Sequence, residues 1–445
     1  MIEKIEELLR DRKISEVRRL LSEEKPVDIA EVLQELPEEY LPIVFRVLPK
    51  DTAAETFAYL ESETQQALIR IFSDRELKEV LNDLYLDDAV DMIEEMPANV
   101  VKRILHNASS EMRKNINELL RYPKDSAGSI MTTEYVSLKP SMTVAQSFEQ
   151  IRKTGVNKET IYTCYVISVN RKLIGSVSAK TLLLSPQESL IEDIMDRHVQ
   201  YVSTTEDQEA AVGLFKKYDL LALPVVDNET RLVGIVTVDD AIDVMQEEAT
   251  EDIEAMAAIV PGDKPYIKTG VFETFFKRIP WLLILMISAT FTGSIIRNYE
   301  SALQHGYVIL TAFIPMLMDT GGNSGSQASV SIIRSMSLGE ITIKNLFWVI
   351  FKEIRVALLC GVTLAVANFA KLLLIDRVTV PVAAVVCLTL VITVFVAKLI
   401  GCVLPMLAKS LRLDPAVMAS PFITTIVDAL SLLIYFNIAV AVLHI

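Results

Sequence analysis

The sequence predicts a multidomain membrane protein with an all-α helical N-terminal domain, an α/β tandem repeat, a long connecting helix and a five-helix transmembrane domain. Three observations predict this class. Residues 1–270 carry 31 Lys and Arg against 50 Asp and Glu, whereas residues 271–445 carry 12 against 8. A strand-rich motif occurs twice near the middle of the chain. Five apolar segments in the second part are long enough to cross a bilayer. We place the domains at 1–123, 124–241, 242–270 and 271–445.

The first 123 residues are predicted to form short amphipathic helices. Proline follows an apolar residue at Leu36-Pro37, Leu48-Pro49 and Met96-Pro97. Each pair is expected to end one helix and begin the next, because proline fits the first turn of a helix. The pattern predicts a stack of helix pairs, as in a small α-solenoid.

Acidic residues of this domain are candidate metal ligands. Asp87 and Asp91 are four residues apart, so their like charges share one helix face and repel each other. A bound divalent cation would relieve this repulsion, and Mg²⁺ prefers oxygen ligands. Glu55 is a further candidate. A solvated acidic face without a ligand is the alternative.

Residues 124–241 contain a two-copy repeat. Ile130-Met131 recurs as Ile194-Met195, and Leu173-Ile-Gly-Ser-Val-Ser178 recurs as Leu232-Val-Gly-Ile-Val-Thr237. Each copy is predicted to run strand, helix, strand, strand, helix. The repeat resembles a tandem CBS domain pair, a regulatory module that often senses adenine nucleotides.

This resemblance implies a nucleotide site in the second copy, where the hydroxyl of Thr237 and the carboxylate of Asp240 would bind ribose hydroxyls. The first copy has Thr181 where the second has Asp240. ATP, if bound, is therefore expected at the second copy. A scaffold that binds no nucleotide is the alternative.

The segment after the repeat is predicted to be one long acidic helix, because no helix breaker occurs between Asp239 and Pro261-Gly262. A stripe of four carboxylates lies on one side of it, and such a stripe is unfavourable unless cations or a basic surface meet it. An acidic connector without a ligand is again the alternative. The stripe comprises Asp243, Glu247, Glu251 and Glu254.

Five membrane spans are predicted. Lys277 and Arg278 precede the first one, so its start is expected on the cytoplasmic side. The N-terminal domains would then be cytoplasmic, the C-terminus outside, and the chain a multi-pass protein of the cell membrane. The charged helix at the N-terminus does not have the pattern of a secretory signal. The spans are about 280–297, 307–336, 354–375, 380–408 and 416–443.

The last span contains Asp428, a carboxylate that is costly within a membrane. Hydroxyl side chains share its helix face. A carboxylate flanked by hydroxyls is typical of a wet passage for a cation; a hydrogen bond that only joins two helices is the alternative. The predicted lining residues are Ser420, Thr424, Thr425 and Ser431.

The second span is rich in glycine and polar amides. Backbone groups in such a segment must be satisfied by protein or by water in a cavity. The acid and amides of this segment favour a cavity, although close packing would also explain the glycines. Gly321 and Asn323 are the predicted lining residues here.

The order of the parts, together with three motifs, resembles the MgtE family of magnesium channels. The motifs are Gly321-Gly-Asn-Ser-Gly-Ser-Gln327, Glu248-Ala-Thr-Glu-Asp-Ile253 and Asp414-Pro415 followed by Asp428. The resemblance implies a homodimer whose pore lies at the subunit interface, with Asp428 as the pore carboxylate.

The same resemblance implies that cytosolic Mg²⁺ binds the soluble domains and closes the gate. Asp414 would lie near the cytoplasmic mouth. The implied sensor residues are Glu55, Asp87, Asp91, Asp243, Glu251 and Glu254.

Two other functions remain open at this point. A secondary transporter of divalent cations, coupled to a proton or sodium gradient, would protonate Asp428 in each cycle. A membrane enzyme is not favoured, because no P-loop or Ser-His-Asp set occurs and the four histidines are scattered. The acidic soluble part argues against nucleic acid as a partner. Passage of other divalent cations is left open.

Overall fold

The computed structural model describes residues 1–262, 266–267, 269–299, 308–411, 413–418 and 420–443. Within these ranges, the side chains of Asp51, Asn157, Met418 and Ser420 are not described. The chain divides into two compact units, Met1–Gln246 and Glu247–Ile445.

The N-terminal domain consists of ten short helices. Pro49 and Pro97 cap α5 and α9, as the sequence predicts. Helices pack on the next but one along the chain, with α3 on α5, α5 on α7 and α7 on α9, which confirms the stacked arrangement. The helices are α1 Ile2–Arg10, α2 Ile14–Leu21, α3 Pro26–Glu35, α4 Leu41–Phe45, α5 Lys50–Ala58, α6 Ser62–Ile71, α7 Asp74–Asp83, α8 Leu86–Glu95, α9 Ala98–Asn107 and α10 Ser110–Leu119.

The α/β repeat forms two three-stranded sheets of the same topology. The first strand of each is parallel to the second, and the second is antiparallel to the third. The first sheet contains β1 Ser137–Leu138, β2 Thr163–Ile167 and β3 Leu173–Ser178; the second contains β4 Val202–Ser203, β5 Ala222–Val226 and β6 Leu232–Thr237. The helices are α11 Val144–Thr154, α12 Ala179–Leu184, α13 Ile191–Ile194 and α14 Gln208–Tyr218.

A methionine packed on a strand glycine explains why these two residues recur. A Cβ atom on Gly175 would lie 2.7 Å from the sulfur of Met195. The same addition to Gly234 would lie 2.7 Å from the sulfur of Met131. The methionine of each copy therefore packs on the strand glycine of the other copy, where a larger residue would not leave room for it. The repeated residues thus join the two copies by packing.

The connecting helix α15, Val238–Met256, follows β6 directly. The sequence predicts a helix that continues to Pro261, but α15 ends at Met256. Soon after this end, Ala258 adopts a positive φ of 56°. The helix therefore begins within the second repeat and is shorter than expected at its far end.

The membrane domain contains five long helices: α16 Val271–Asn298, α17 Ile314–Ser337, α18 Leu346–Leu374, α19 Val380–Ser410 and α20 Ser420–Leu443. In the part of the chain that the structure describes, four helices are long and apolar enough to cross a membrane. The remaining long helix, α17, is too polar to meet that standard. It packs mainly on α19 and α20.

Candidate functional site

Helix α17 presents one face to its neighbours for close packing. A Cβ atom on Gly321 would lie 2.7 Å from Cγ2 of Thr393 on α19 and 2.9 Å from Cγ1 of Val427 on α20. A Cβ atom on Gly401 of α19 would lie 2.2 Å from the carbonyl oxygen of Gly325. The helices therefore approach too closely for any side chain at these positions. Gly321, a predicted lining residue, lies in this contact.

The opposite face of α17 carries polar side chains at four-residue spacing. Asp319, Asn323 and Gln327 line an open groove of about 510 Å³. A second open space of about 530 Å³ continues along the same face and shares Asn323 and Gln327. The predicted lining residue Asn323 thus lies at the middle of a groove whose α17 side is polar. The other residues of the first space are Thr320, Ser324, Leu359, Cys360, Thr363, Leu364 and Lys398.

Asp428 lies half-buried on α20, near the level of Gly321. Its neighbour Val427 and the nearby Ser431 both contact the position of Gly321, which fixes this level. The charge of Asp319 reaches Asp428, so two carboxylates from two membrane helices interact. Like charges in this position repel each other unless a cation is present.

The predicted hydroxyl stripe on α20 is occupied largely by hydrogen bonds within its own helix. Thr424 and Thr425 both donate to the carbonyl of Pro421 at 2.9 Å. Ser431 donates to the carbonyl of Val427 at 2.6 Å and is 1% exposed. The Thr424 methyl group packs on Gly322, while the side chain of Ser420 lies outside the described residues. Ser431 therefore contributes to packing.

A second acidic site lies in the unit Met1–Gln246. Asp87 is 8% exposed, and burial followed by the charge of Asp88 raises its pKa. Burial raises the pKa of Asp88 to about 7, and the charges of Asp239 and Asp240 add to this rise. Packing around Asp91 and the charge of Asp240 raise the Asp91 pKa, although this side chain stays open to solvent.

Two glutamates of the first repeat join this acidic cluster. Burial raises the pKa of Glu159 to about 9, with Asp87 and Asp240 contributing next. One carboxylate oxygen of Glu159 is buried without a hydrogen-bond partner. Burial also raises the pKa of Glu134, whose carboxylate accepts a hydrogen bond from the backbone amide of Leu86. Sequence reasoning missed both glutamates, because they lie outside the repeated motif.

Glu55 and Asp243 lie at the edge of the cluster. Partial burial and then Asp239 raise the pKa of Asp243. The charges of Asp239, Glu55 and Asp243 all act on Tyr59, whose pKa is raised first by burial. The predicted residues Glu55, Asp87, Asp91 and Asp243 therefore converge, although no three His, Cys, Asp or Glu side chains in the described ranges form a ready-made metal-ligand group.

Thr237 and Asp240, the predicted nucleotide ligands, contact each other. The Thr237 hydroxyl donates to Oδ2 of Asp240 at 2.5 Å. Burial and then the charge of Asp87 raise the pKa of Asp240. Asp240 thus belongs to the acidic cluster as well as to the end of the second repeat.

The last part of α15 packs within the unit Glu247–Ile445. Ala255 and Met256 contact a small cluster formed by Ile333 and Ala416. Burial and then the charge of Asp414 raise the pKa of Asp252, whereas a hydrogen bond with Ser337 lowers it. Asp252 belongs to the sequence motif 248–253 but is not among the residues predicted to bind metal.

The other predicted residues of this region lie on or near α15. Asp414 accepts a hydrogen bond from the backbone amide of Ala416 at 2.8 Å. Glu254 accepts one from the amide of Gly262 at 3.2 Å. Glu247 and Glu251 lie on the exposed surface of α15. All four carboxylates of the predicted stripe lie on α15, and their role as metal ligands stays a prediction.

Family models match most of the chain. Residues 314–438 match a divalent cation transporter family, MgtE, and residues 24–125 match the MgtE intracellular N domain. Residues 127–187 and 191–247 match CBS domains, which confirms the repeat.

Curated relatives extend the similarity over nearly the full length. The chain is 35% identical to a magnesium transporter MgtE of Thermus thermophilus over 98% of this chain and 97% of that protein. It is 34% identical to a magnesium transporter MgtE of Bacillus subtilis, over 98% and 96% of the two chains.

A solved structure resembles the soluble part. The cytosolic domain of the Mg²⁺ channel MgtE, crystallised in complex with ATP, is 35% identical and has a TM-score of 0.52. The alignment covers 55% of this chain and 100% of that chain. With the relatives matched over nearly their full length, the chain belongs to the MgtE family of magnesium transporters.

Proposed function

We propose that this protein is a magnesium-selective channel of the cell membrane that cytosolic magnesium closes. The observation that carries the proposal is the open groove lined by Asp319, Asn323 and Gln327 of α17, with a second membrane carboxylate, Asp428, on the helix α20 that packs against α17. Intramembrane carboxylates are rare and mark ion pathways.

Hydrated magnesium suits this groove. Mg²⁺ keeps several water ligands and is held through one or two carboxylates. Asp428 would bind the hydrated ion through its waters, and the amides of Asn323 and Gln327 would accept and donate hydrogen bonds to that shell. No cage of side-chain ligands is required.

A homodimer would complete the ion path. The groove along α17 is open in a single chain, and a second copy would cover it. Two copies of Asp428 would then face one path, where their repulsion favours a divalent over a monovalent cation. We propose that the pore lies at this subunit interface.

The acidic cluster is the proposed sensor. Asp87, Asp88, Asp91 and Asp240 are crowded, with burial opposing their charged forms. Bound Mg²⁺ would offset this repulsion and hold α8 against the start of α15. Because ions must bind the closed state more tightly to close the channel, the sensor acts by a population shift.

Helix α15 would connect the sensor with the gate. Its first turns carry Asp239, Asp240 and Asp243 of the cluster, and its last turn packs on Ile333 of α17 and Ala416 before α20. A helix transmits a displacement along its length, so ordering one end would bias the other. We expect Glu251, Glu254 and Asp414 to modulate this step.

ATP is proposed as a ligand of the second CBS repeat. The similar cytosolic domain was crystallised with ATP. In this chain, Thr237 and Asp240 are already paired, so a ribose would have to replace that hydrogen bond. ATP binding would then act directly on a member of the acidic cluster. Titration of ATP into the wild type and Asp240→Ala, with and without Mg²⁺, tests this link.

The orientation follows from charge. Lys277 and Arg278 at the start of α16 favour the cytoplasmic side, which would place the soluble domains inside and the C-terminus outside. A cysteine-accessibility assay on intact cells, with a single cysteine added after the last helix, tests the second half of this statement.

Liposome uptake tests the channel proposal. Magnesium influx measured with an enclosed Mg²⁺-sensitive dye should occur down a magnesium gradient alone and should fall when magnesium is raised on the side of the soluble domains. Influx that requires a proton or sodium gradient would instead support the coupled transporter.

A further inference from the structure

Lys398 is a buried lysine within a membrane helix. It lies on α19 and is 5% exposed. Within the described ranges, it makes no hydrogen bond or ion pair. A charged group at membrane depth is costly and is retained where it faces the bundle interior or a water-filled cavity.

The groove along α17 is the cavity that Lys398 faces. Lys398 lines the space of about 510 Å³ together with Asp319, Asn323 and Gln327. Its surroundings differ from those of Lys409, which lies on the exposed surface near the end of the same helix. Burial beside the groove distinguishes Lys398 from a lysine that reaches out to the membrane surface.

Helix contacts define the level of Lys398. Its neighbour Ala397 contacts the position of Gly325 through its carbonyl oxygen, at 3.1 Å from a Cβ atom placed there. Gly325 lies four residues along α17 from Gly321, and Val427, next to Asp428, contacts the positions of both glycines. One helical turn rises about 5.4 Å, so Lys398 lies within about one turn of the level of Asp428.

We propose that Lys398 is a specificity-determining residue of the ion path, whose fixed positive charge offsets one of the two carboxylates that each chain contributes. This inference rests on the proposed channel function. Asp319, Asp428 and Lys398 together leave one net negative charge per chain. Two chains would then match the charge of a single divalent cation.

The physical reason is release of the ion. Conduction requires binding that is favourable enough for entry and weak enough for exit. Four carboxylates without a compensating cation would hold a divalent ion tightly and slow its departure. A lysine one turn away weakens binding without adding a ligand. The carboxylates can thus select a divalent cation, while Lys398 lets the bound cation dissociate quickly.

Liposome flux as a function of external Mg²⁺ tests the proposal. Lys398→Gln removes the charge and keeps a polar side chain of similar reach. We expect its half-saturating Mg²⁺ concentration to fall about tenfold, since a full charge one turn from a divalent ion acts strongly at this depth. The maximum flux should fall at the same time. Lys398→Arg keeps the charge and should retain the wild-type half-saturation.

Lys352→Gln is the matched control, because Lys352 is an exposed lysine on the neighbouring helix α18. The inference would be overturned if Lys398→Gln had the half-saturating Mg²⁺ concentration of the wild type. It would also be overturned if Lys398→Gln and Lys398→Arg changed this concentration equally. If Lys398→Gln does not yield folded protein, Lys398→Met takes its place. A wild type without magnesium flux would overturn the channel and this inference together, whereas a conducting wild type with unaltered variants overturns the inference alone.

Discussion

The two acidic sites of this molecule differ in what compensates their charge. The cluster around Asp87 and Asp240 crowds carboxylates from α8, α15 and the first repeat, and the charge of Lys158 lowers the pKa of Glu134. The membrane groove has Asp319, the amides of Asn323 and Gln327 and the amine of Lys398 on its walls, and Asp428 lies on the helix α20 that packs against α17. The soluble site is therefore repulsive until cations bind, whereas Lys398 partly compensates the charge of the membrane site.

This difference matches two tasks. A sensor should change its conformation when ions bind, so it gains from repulsion in the ion-free state. An ion path should change little and release its ion quickly, so it gains from partial compensation and rigid packing. The predictions below test whether the two sites separate in this way.

The largest effect is expected from Asp428→Ala, with Asp428→Asn as a variant of the same size. Removal of the carboxylate should lower magnesium uptake into liposomes by about two orders of magnitude, because the ion loses its charged partner at membrane depth. Asp376→Asn, an acid beyond the end of α18 that pairs with Lys371, is the control and should transport normally. Undiminished, selective magnesium flux in a folded Asp428→Ala protein would contradict the pore assignment.

The next effect concerns the sensor. Neutralisation of Asp87, Asp91, Asp243 and Glu251 should leave the channel open at magnesium concentrations that close the wild type. Flux at high cytosolic-side magnesium should rise about tenfold relative to wild type, since the population shift is lost. Protection of the soluble part from protease by Mg²⁺ should also disappear.

A matched control set consists of four exposed acids, three on the first two helices and one just after them: Glu3, Glu7, Glu16 and Glu23. Their neutralisation removes the same charge but should keep closure and protease protection. Protection by magnesium that persists in the sensor variant would refute the sensor assignment.

A smaller effect is expected from packing variants. Gly401→Ala would place a Cβ atom 2.2 Å from a backbone oxygen of α17, and overpacking of this kind costs about 1–3 kcal/mol. The melting temperature in detergent should drop by several degrees, and flux should fall, while magnesium protection of the soluble part remains. Gly293→Ala on α16 is the control, because nothing lies within 4 Å of its added Cβ atom. Equal stability of the two variants would show that the close contact is not required.

The smallest effect is a pH dependence of the soluble cluster. Burial raises the pKa of Asp88 to about 7 and that of Glu159 to about 9. Because these folded-state values exceed the unfolded ones of about 4, the folded state should lose stability as pH rises from about 4 towards 7–9. Without divalent ions, amide hydrogen exchange in α8, corrected for its intrinsic rate, should be several-fold faster at pH 8 than at pH 6. Added Mg²⁺ should reduce this difference in exchange rate between pH 8 and pH 6. Exchange in α8 that responds neither to pH nor to Mg²⁺ would contradict the proposed repulsion.

Local sequence rules predicted most of the architecture. Proline at helix starts marked α5 and α9, and the recurring Gly175 and Gly234 marked two equivalent strands. The polar composition of α17 predicted that protein or water in a cavity must satisfy its polar groups, and it favoured a cavity. In each case one residue type has one dominant physical reason to be there.

Sites assembled from distant segments were harder to predict. Glu134 and Glu159 join the acidic cluster only after the first repeat folds against α8, and no local pattern shows this. Lys398 stands in a largely apolar run whose helix face could not be assigned. Helical periodicity placed Ser431 beside Asp428 but could not show that Gly321 would cover it. Helical periodicity shows which residues share a face of a helix. Whether that face is exposed to water depends on the helices that pack against it.

The two-faced construction of α17 has a consequence for mutational scanning. Substitutions at Gly321 and Gly325 should reduce the amount of protein in the membrane, because no side chain fits there. Substitutions at Asp319, Asn323 and Gln327 should leave abundance unchanged and reduce transport. A scan that scores abundance and transport separately should therefore show two helical periodicities along one helix, half a turn out of phase.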